Sequence, residues 1–178
     1  MNEKIKKCVE KIYINKDYSY FKRMCKKKYK FIEELKLLAN SICEEICVES
    51  LVDDPALEIR FMYSDYIRDE YCVHYQTILK ISKLSDMFFI QHEFCVENLD
   101  PDRMTPVLDG FGGEPYTISQ NRMEKEIGVF LKEKGLEKIE LAELEEVLCE
   151  LEMISNSILG KQMTVEIALF YDPYGIND

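Results

Sequence analysis

Both histidines of the chain and two of its seven cysteines fall between Tyr71 and Glu97, in YCVHYQTILKISKLSDMFFIQHEFCVE. Cys72, His74 and Cys95 offer thiol and imidazole donors of the kind zinc accepts. A thiol beside an imidazole is also the start of a nucleophilic dyad. Each chemistry has a difficulty. On a strand, residues 72 and 74 share a face, but their backbones lie about 6.6 Å apart, which suits one ion poorly without bending. The Cys95 and His74 pair lacks a recognisable orienter for the imidazole and any evident oxyanion donors. The segment is therefore expected to be a mixed outer sheet face, solvated or covered by a helix, with no metal, cofactor or catalytic residue assigned.

The elements beneath these residues follow from apolar periodicity. Tyr71, Val73, Tyr75, Thr77, Leu79 and Ile81 alternate with polar neighbours, as do Phe88, Ile90, His92, Phe94 and Val96. Two strands joined by KLSD, with Ser82 facing Met87, place both apolar sets on one side, and a slip of one residue would mix the faces. In this register His92 lies on the apolar side opposite Thr77, whose hydroxyl can satisfy one ring nitrogen, so it reads as a core histidine. His74 lies on the other side opposite Cys95, with Glu97 opposite Cys72 and Gln76 opposite Glu93. LEIRFMYS, Leu57 to Ser64, alternates in the same way and predicts a third strand.

Helical spacing of Phe21, Cys25, Tyr29, Ile32, Leu35, Ala39, Ile42 and Ile46 predicts one long helix over Tyr18 to Val48, ended by SLVDDPA. Its aromatics read as core, leaving Lys22, Arg23, Lys26, Lys27, Lys28 and Lys30 on a solvated face. That is weak ground for phosphate binding. Thr117 with Gln120 reads as a capping box, opening a helix that buries Ile127, Phe130 and Leu131 and stops at Gly135. Leu141 to Met153 reads as a further helix with an acidic outer strip. The segment 164–171 fits strand or helix and is taken as a short helix ending before Pro173. The expected fold is α+β, one domain over residues 1–178. A long N-terminal helix accompanies a small antiparallel sheet of three or more strands, with C-terminal helices on its apolar face.

Several chemistries fail on spacing. GFGG in the loop 98–116 matches no phosphate-binding glycine pattern. Asp100, Asp102, Asp109 and Glu114 lack the ordered spacing of an EF-hand. The cysteines Cys43 and Cys47 share a helical face but have no second pair at zinc-finger spacing. An odd number of cysteines in a chain without an apolar leader suits reduced thiols, and no apolar run approaches the ~20 residues that span a bilayer. A cytoplasmic protein is expected.

Charge is the informative global feature. Of 23 Lys and Arg and 34 Asp and Glu, residues 1–36 carry 12 and 5, leaving 11 and 29 for residues 37–178. A head of +7 thus sits on a body of −18, a field that disfavours nucleic acid and favours a basic protein partner. The residues expected to meet that partner are Glu140, Glu143, Glu146 and Glu150 on the acidic strip and Asp100, Asp102, Asp109 and Glu114 in the loop. In its acidic body, single-domain size and lack of assembled catalytic machinery, the chain resembles the immunity proteins of bacterial contact-dependent and polymorphic toxin systems. The resemblance is one of overall character and rests on no motif. It implies a non-catalytic protein that masks a basic toxin domain. Two alternatives stand beside it: a small enzyme using the His74 and Cys95 face or the acidic loop, and a regulatory or nucleic-acid-binding module using the basic N-terminal segment.

Overall fold

Two twelve-residue strands, β4 (Tyr71–Ser82) and β5 (Met87–Asn98), form the spine of the molecule. They pair antiparallel from Tyr71 opposite Asn98 to Ile81 opposite Phe88, with His74 opposite Cys95 and Thr77 opposite His92, the register expected from the alternation. The turn is locked by Ser82, whose Oγ accepts from the backbone N–H of Leu84 at 3.2 Å and of Ser85 at 3.3 Å and donates to the carbonyl of Leu169 at 2.8 Å. The computed structural model describes residues 2–49, 53–104, 108–152 and 162–177.

Around this hairpin lies a seven-stranded sheet, larger than the small one expected. β1 (Glu45–Glu49) and β2 (Ala56–Met62) precede the hairpin, and β6 (Gly110–Gly112) follows it, in the antiparallel order β1-β2-β4-β5-β6. The short β3 (Tyr66–Arg68) pairs with the start of β4, and β7 (Glu137–Lys138) runs parallel to the start of β5. Leu57, Ile59, Phe61, Leu79, Ile81, Phe88 and Ile90 make the apolar face. Against it pack Met123, Ile127 and Leu131 of α4 (Ile118–Glu133) and Leu35 and Ala39 of α3 (Ile32–Ala39). Thr117 caps α4 in a full capping box with Gln120, and Gly135 follows it at φ +86°, as the sequence predicts.

A second core lies on the opposite face at the turn end of the hairpin. There Leu84, Met87 and Phe89 meet α1 (Glu3–Val9), which continues as a π-helical turn over Glu10–Ile14, together with α2 (Tyr18–Cys25) and α6 (Val165–Phe170). α6 is capped by Thr164 and ends at Tyr171, before Pro173, as the short helix expected, but it packs in this outer core and not on the apolar face, where α4 is the C-terminal helix that docks. Strands of twelve residues run about 40 Å, and this helical layer covers only the turn-end half of the outer face.

Two expected helices are replaced. The stripe from Tyr18 to Val48 is divided into α2, α3 and β1 because its parts serve different cores: Phe21 and Cys25 belong to the outer core, Leu35 and Ala39 to the apolar face. One straight helix cannot deliver a single stripe to both sides of a sheet. The β-branched Ile46 and Val48 fit a period of two as well as one of four, and sheet pairing decides. The helix expected over Leu141 to Met153 shrinks to α5 (Leu141–Leu144), followed by β8 (Val147–Glu152) paired with β9 (Gln162–Thr164). Glu145 and Glu146 follow directly on the last residue of α5, where negative charge opposes the helix dipole. Ser50 to Val52 and Met153 lie outside the described residues.

Candidate functional site

On the uncovered half of the outer face, one row of side chains crosses five strands. Glu45, Met62, Gln76, Glu93 and Phe111 are successive partners from β1 to β6. The next row toward the open end holds His74 opposite Cys95. These rows floor a cleft of about 590 Å³, within the range of ligand-binding clefts. Its acidic lining is Glu44, Glu45, Asp65, Glu93 and Asp109, and among the described residues no Lys or Arg lines it. Arg60, in the adjoining row, is occupied by Glu49 at 3.2 Å and Glu58 at 2.6 Å.

The floor is held from behind. Gln120, fully buried at the start of α4, donates through Nε2 to the backbone carbonyls of Gln76 at 2.9 Å and Glu93 at 3.1 Å. On the cleft side the Glu93 carboxylate accepts from Gln76 at 2.5 Å and from Gln91 at 2.6 Å, so its position is fixed while its charge stays in the cleft. At the far wall Gly110 passes over the Phe94 ring, where any Cβ would collide. The next residue, Phe111, stands 77% exposed on the rim.

His74 sits between two carboxylates: Nδ1 is 2.7 Å from Asp65 Oδ1 and Nε2 is 3.2 Å from Glu97 Oε2. The hydrogen bonds to Asp65 and then Glu97 favour the imidazolium and raise its pKa above the ordinary histidine value. Cys95 moves the wrong way for a thiolate nucleophile, since desolvation and then Asp109 push its pKa up. Cys72 is likewise raised, by desolvation and then by Asp65 and Glu97. The missing orienter of the imidazole is thus present as Asp65, but the thiol opposite is held in its protonated form.

His92 is a core residue. Its Nδ1 lies 2.9 Å from Thr77 Oγ1, which in turn lies 2.8 Å from the Tyr63 hydroxyl, while Nε2 faces Glu124 at 3.4 Å. Burial lowers its pKa and outweighs the opposing pull of Glu124.

Of the acidic residues singled out in the sequence, Asp109 joins the cleft. Asp100 pairs with Arg103 at 3.1 Å and accepts from the backbone N–H of Asp102; Asp102 and Glu114 are exposed. Glu140 pairs with Lys138 at 3.1 Å, and the half-buried Glu143 carboxylate accepts from the Glu140 backbone N–H at 3.5 Å. Exposed Glu146 lies just before β8 and exposed Glu150 within it, so the expected helical strip is not formed. Asp65 escapes sequence reading because it lies in the connection before β3, and Glu44 and Glu45 because they fall within the expected long helix. Their one available signal is the alternation EICVE. The basic head places Lys22, Arg23, Lys26, Lys28 and Lys30 at the surface, with Phe21 buried and the Tyr29 hydroxyl bonded to the Ser82 carbonyl at 2.7 Å. Among the described residues no helix is long and apolar enough to cross a membrane.

Comparison with protein-family models, with curated proteins and with solved structures returned no match.

Proposed function

We propose that this chain is a non-catalytic cytoplasmic binding protein that neutralises a basic protein partner, in the manner of the bacterial toxin immunity proteins. One observation carries the reading: among the described residues, five carboxylates and no Lys or Arg line the cleft, on a body of net charge −18. A partner's lysine or arginine entering there meets carboxylates whose lining partner of opposite charge is His74, on Asp65 alone. Each close pair is worth about 1 kcal/mol in bulk water and about 4 kcal/mol at a partly desolvated surface. The field also speeds encounter in a salt-dependent way.

The rim favours a protein over a small cation. Phe111 of β6 is 77% exposed, and Leu108, two residues before that strand, is 56% exposed. Exposed aromatic anchors are enriched in protein interfaces. The raised Cys95 thiol supports the non-catalytic half of the reading.

The test starts from the product of the adjacent gene, purified and titrated calorimetrically with the wild type, with Glu45→Gln/Glu93→Gln and with Glu146→Gln/Glu150→Gln. The expectation is 1:1 binding that the cleft variant weakens by about 30-fold, two carboxylates at about 1 kcal/mol each. The second variant should bind as the wild type does. Equal affinity for the cleft variant, or a partner that is itself acidic, overturns the reading.

A further inference from the structure

We infer that Asp65, Cys72 and His74 form a zinc site that fastens the β2–β3 connection to the sheet at the edge of the cleft. The donor atoms of these three residues all lie within 4.8 Å of one another. His74 Nδ1 is 2.7 Å from Asp65 Oδ1 and 3.9 Å from Cys72 Sγ. With zinc at about 2.0–2.1 Å from nitrogen and oxygen and about 2.3 Å from sulfur, a tetrahedral site has edges of about 3.3–3.6 Å. Both His74 distances are within about 0.6 Å of such edges, a correction that side-chain rotation supplies. The obstacle read from the sequence, the spacing of residues i and i+2, is removed because the two side chains lean together over the strand.

The placement follows from register. Cys72 and His74 share a face of β4. β3 pairs Tyr66 with Val73, so Asp65, one residue before that ladder, arrives opposite His74. Glu97, the β5 partner of Cys72, takes the remaining ring nitrogen of His74 at 3.2 Å. A carboxylate on the non-coordinating nitrogen of a metal-binding histidine fixes the ring and its tautomer. Here it leaves Nδ1 for the ion.

Charge and softness select the metal. One thiolate and one carboxylate balance a divalent ion, and the thiolate with the imidazole favours zinc over magnesium or calcium. Cys72 is buried, whereas the Asp65 and His74 side chains are 46% and 42% exposed, so the fourth position opens to solvent. All three residues of β3 are exposed and contribute little to either core. A metal link to β4 would hold that short strand, and Asp65 with it, in place. The site shares Asp65 and His74 with the acidic cleft, but the inference does not depend on which partner that cleft takes, and the metal titration reads it with no partner present.

The test uses the full chain, reduced, titrated with cobalt(II) and then zinc. One cobalt per chain is expected, giving a thiolate-to-cobalt charge-transfer band and the intense visible bands of four-coordinate cobalt, both abolished by one equivalent of zinc. Cys72→Ser should lose the charge-transfer band, and Cys95→Ser should keep it. Glu97→Gln should weaken zinc binding by about 10–100-fold. Asp65→Asn, at an exposed position where folding is safe, should weaken it by at least tenfold and cancel the rise in Tm that zinc gives the wild type. A weak six-coordinate cobalt spectrum, a charge-transfer band that survives Cys72→Ser, or unchanged zinc affinity in Asp65→Asn overturns the inference.

Discussion

Replacing Gln120 separates two jobs that a single side chain performs. Its Oε1 accepts from the backbone N–H of Tyr116 at 2.9 Å and of Thr117 at 3.0 Å, completing the cap of α4, while its Nε2 donates to the carbonyls of Gln76 and Glu93 under the cleft. A net hydrogen bond contributes about 1 kcal/mol, and a buried acceptor left unpaired costs about 1–3 kcal/mol. Loss of the capping half costs about 0.5–1 kcal/mol more. Gln120→Ala should therefore destabilise the protein by about 3 kcal/mol, a large part of a typical total of about 5–15 kcal/mol. Gln120→Glu is the discriminating variant. Glutamate serves a capping box as well as glutamine does, but it has no N–H to give and brings a carboxylate against two carbonyls. It should be at least as damaging as alanine near neutral pH. Urea denaturation followed by circular dichroism measures both, with an unchanged m-value confirming the comparison. A Gln120→Glu protein within about 0.5 kcal/mol of the wild type would refute the claim that α4 holds the cleft floor through this residue.

Two further substitutions probe the scaffold. Gly110→Ala drives a Cβ into the Phe94 ring, and the forced repacking should cost about 1–3 kcal/mol, read by thermal denaturation; an unchanged Tm would contradict the close approach of β6. His92 is neutral when folded because burial lowers its pKa against Glu124, with Lys138 and Glu114 also acting on it. A lowered folded pKa makes the unfolded state the better proton acceptor, so this contribution is intact above the unfolded value of about 6.5 and is lost as pH falls below it. The wild-type stability minus that of His92→Gln should accordingly shrink between about pH 7 and pH 5.5, and a difference that stays flat or grows would reverse the assignment.

The hairpin was legible because its two faces differ in chemistry along twelve residues, so that one register satisfies Ile81 with Phe88 and Leu79 with Ile90 and its neighbours do not. The α4 start was legible because Thr117 and Gln120 carry a local signal that needs no tertiary context. The segment from Tyr18 to Val48 was not, since its periodicity records that residues are buried without recording which side of the sheet buries them. The cleft suffered most from this. Glu44 and Glu45 look like the solvated face of a helix until β1 pairs with β2, and Asp65 gains meaning only when the β3 ladder carries it to His74. Asp109 alone among the acidic residues chosen from the sequence reached the cleft, because a loop rich in acidic residues reveals its composition but not its path.

The most direct measurement is an amide chemical-shift map of the 15N-labelled protein titrated with an arginine-rich peptide. Shifts are expected to concentrate on Glu45, Gln76, Glu93, Asp109 and Phe111, to weaken with added salt, and to vanish in Glu45→Gln/Glu93→Gln/Asp109→Asn. Shifts gathered on residues 140–152, or surviving in the triple variant, would contradict an acidic cleft built to receive a basic partner.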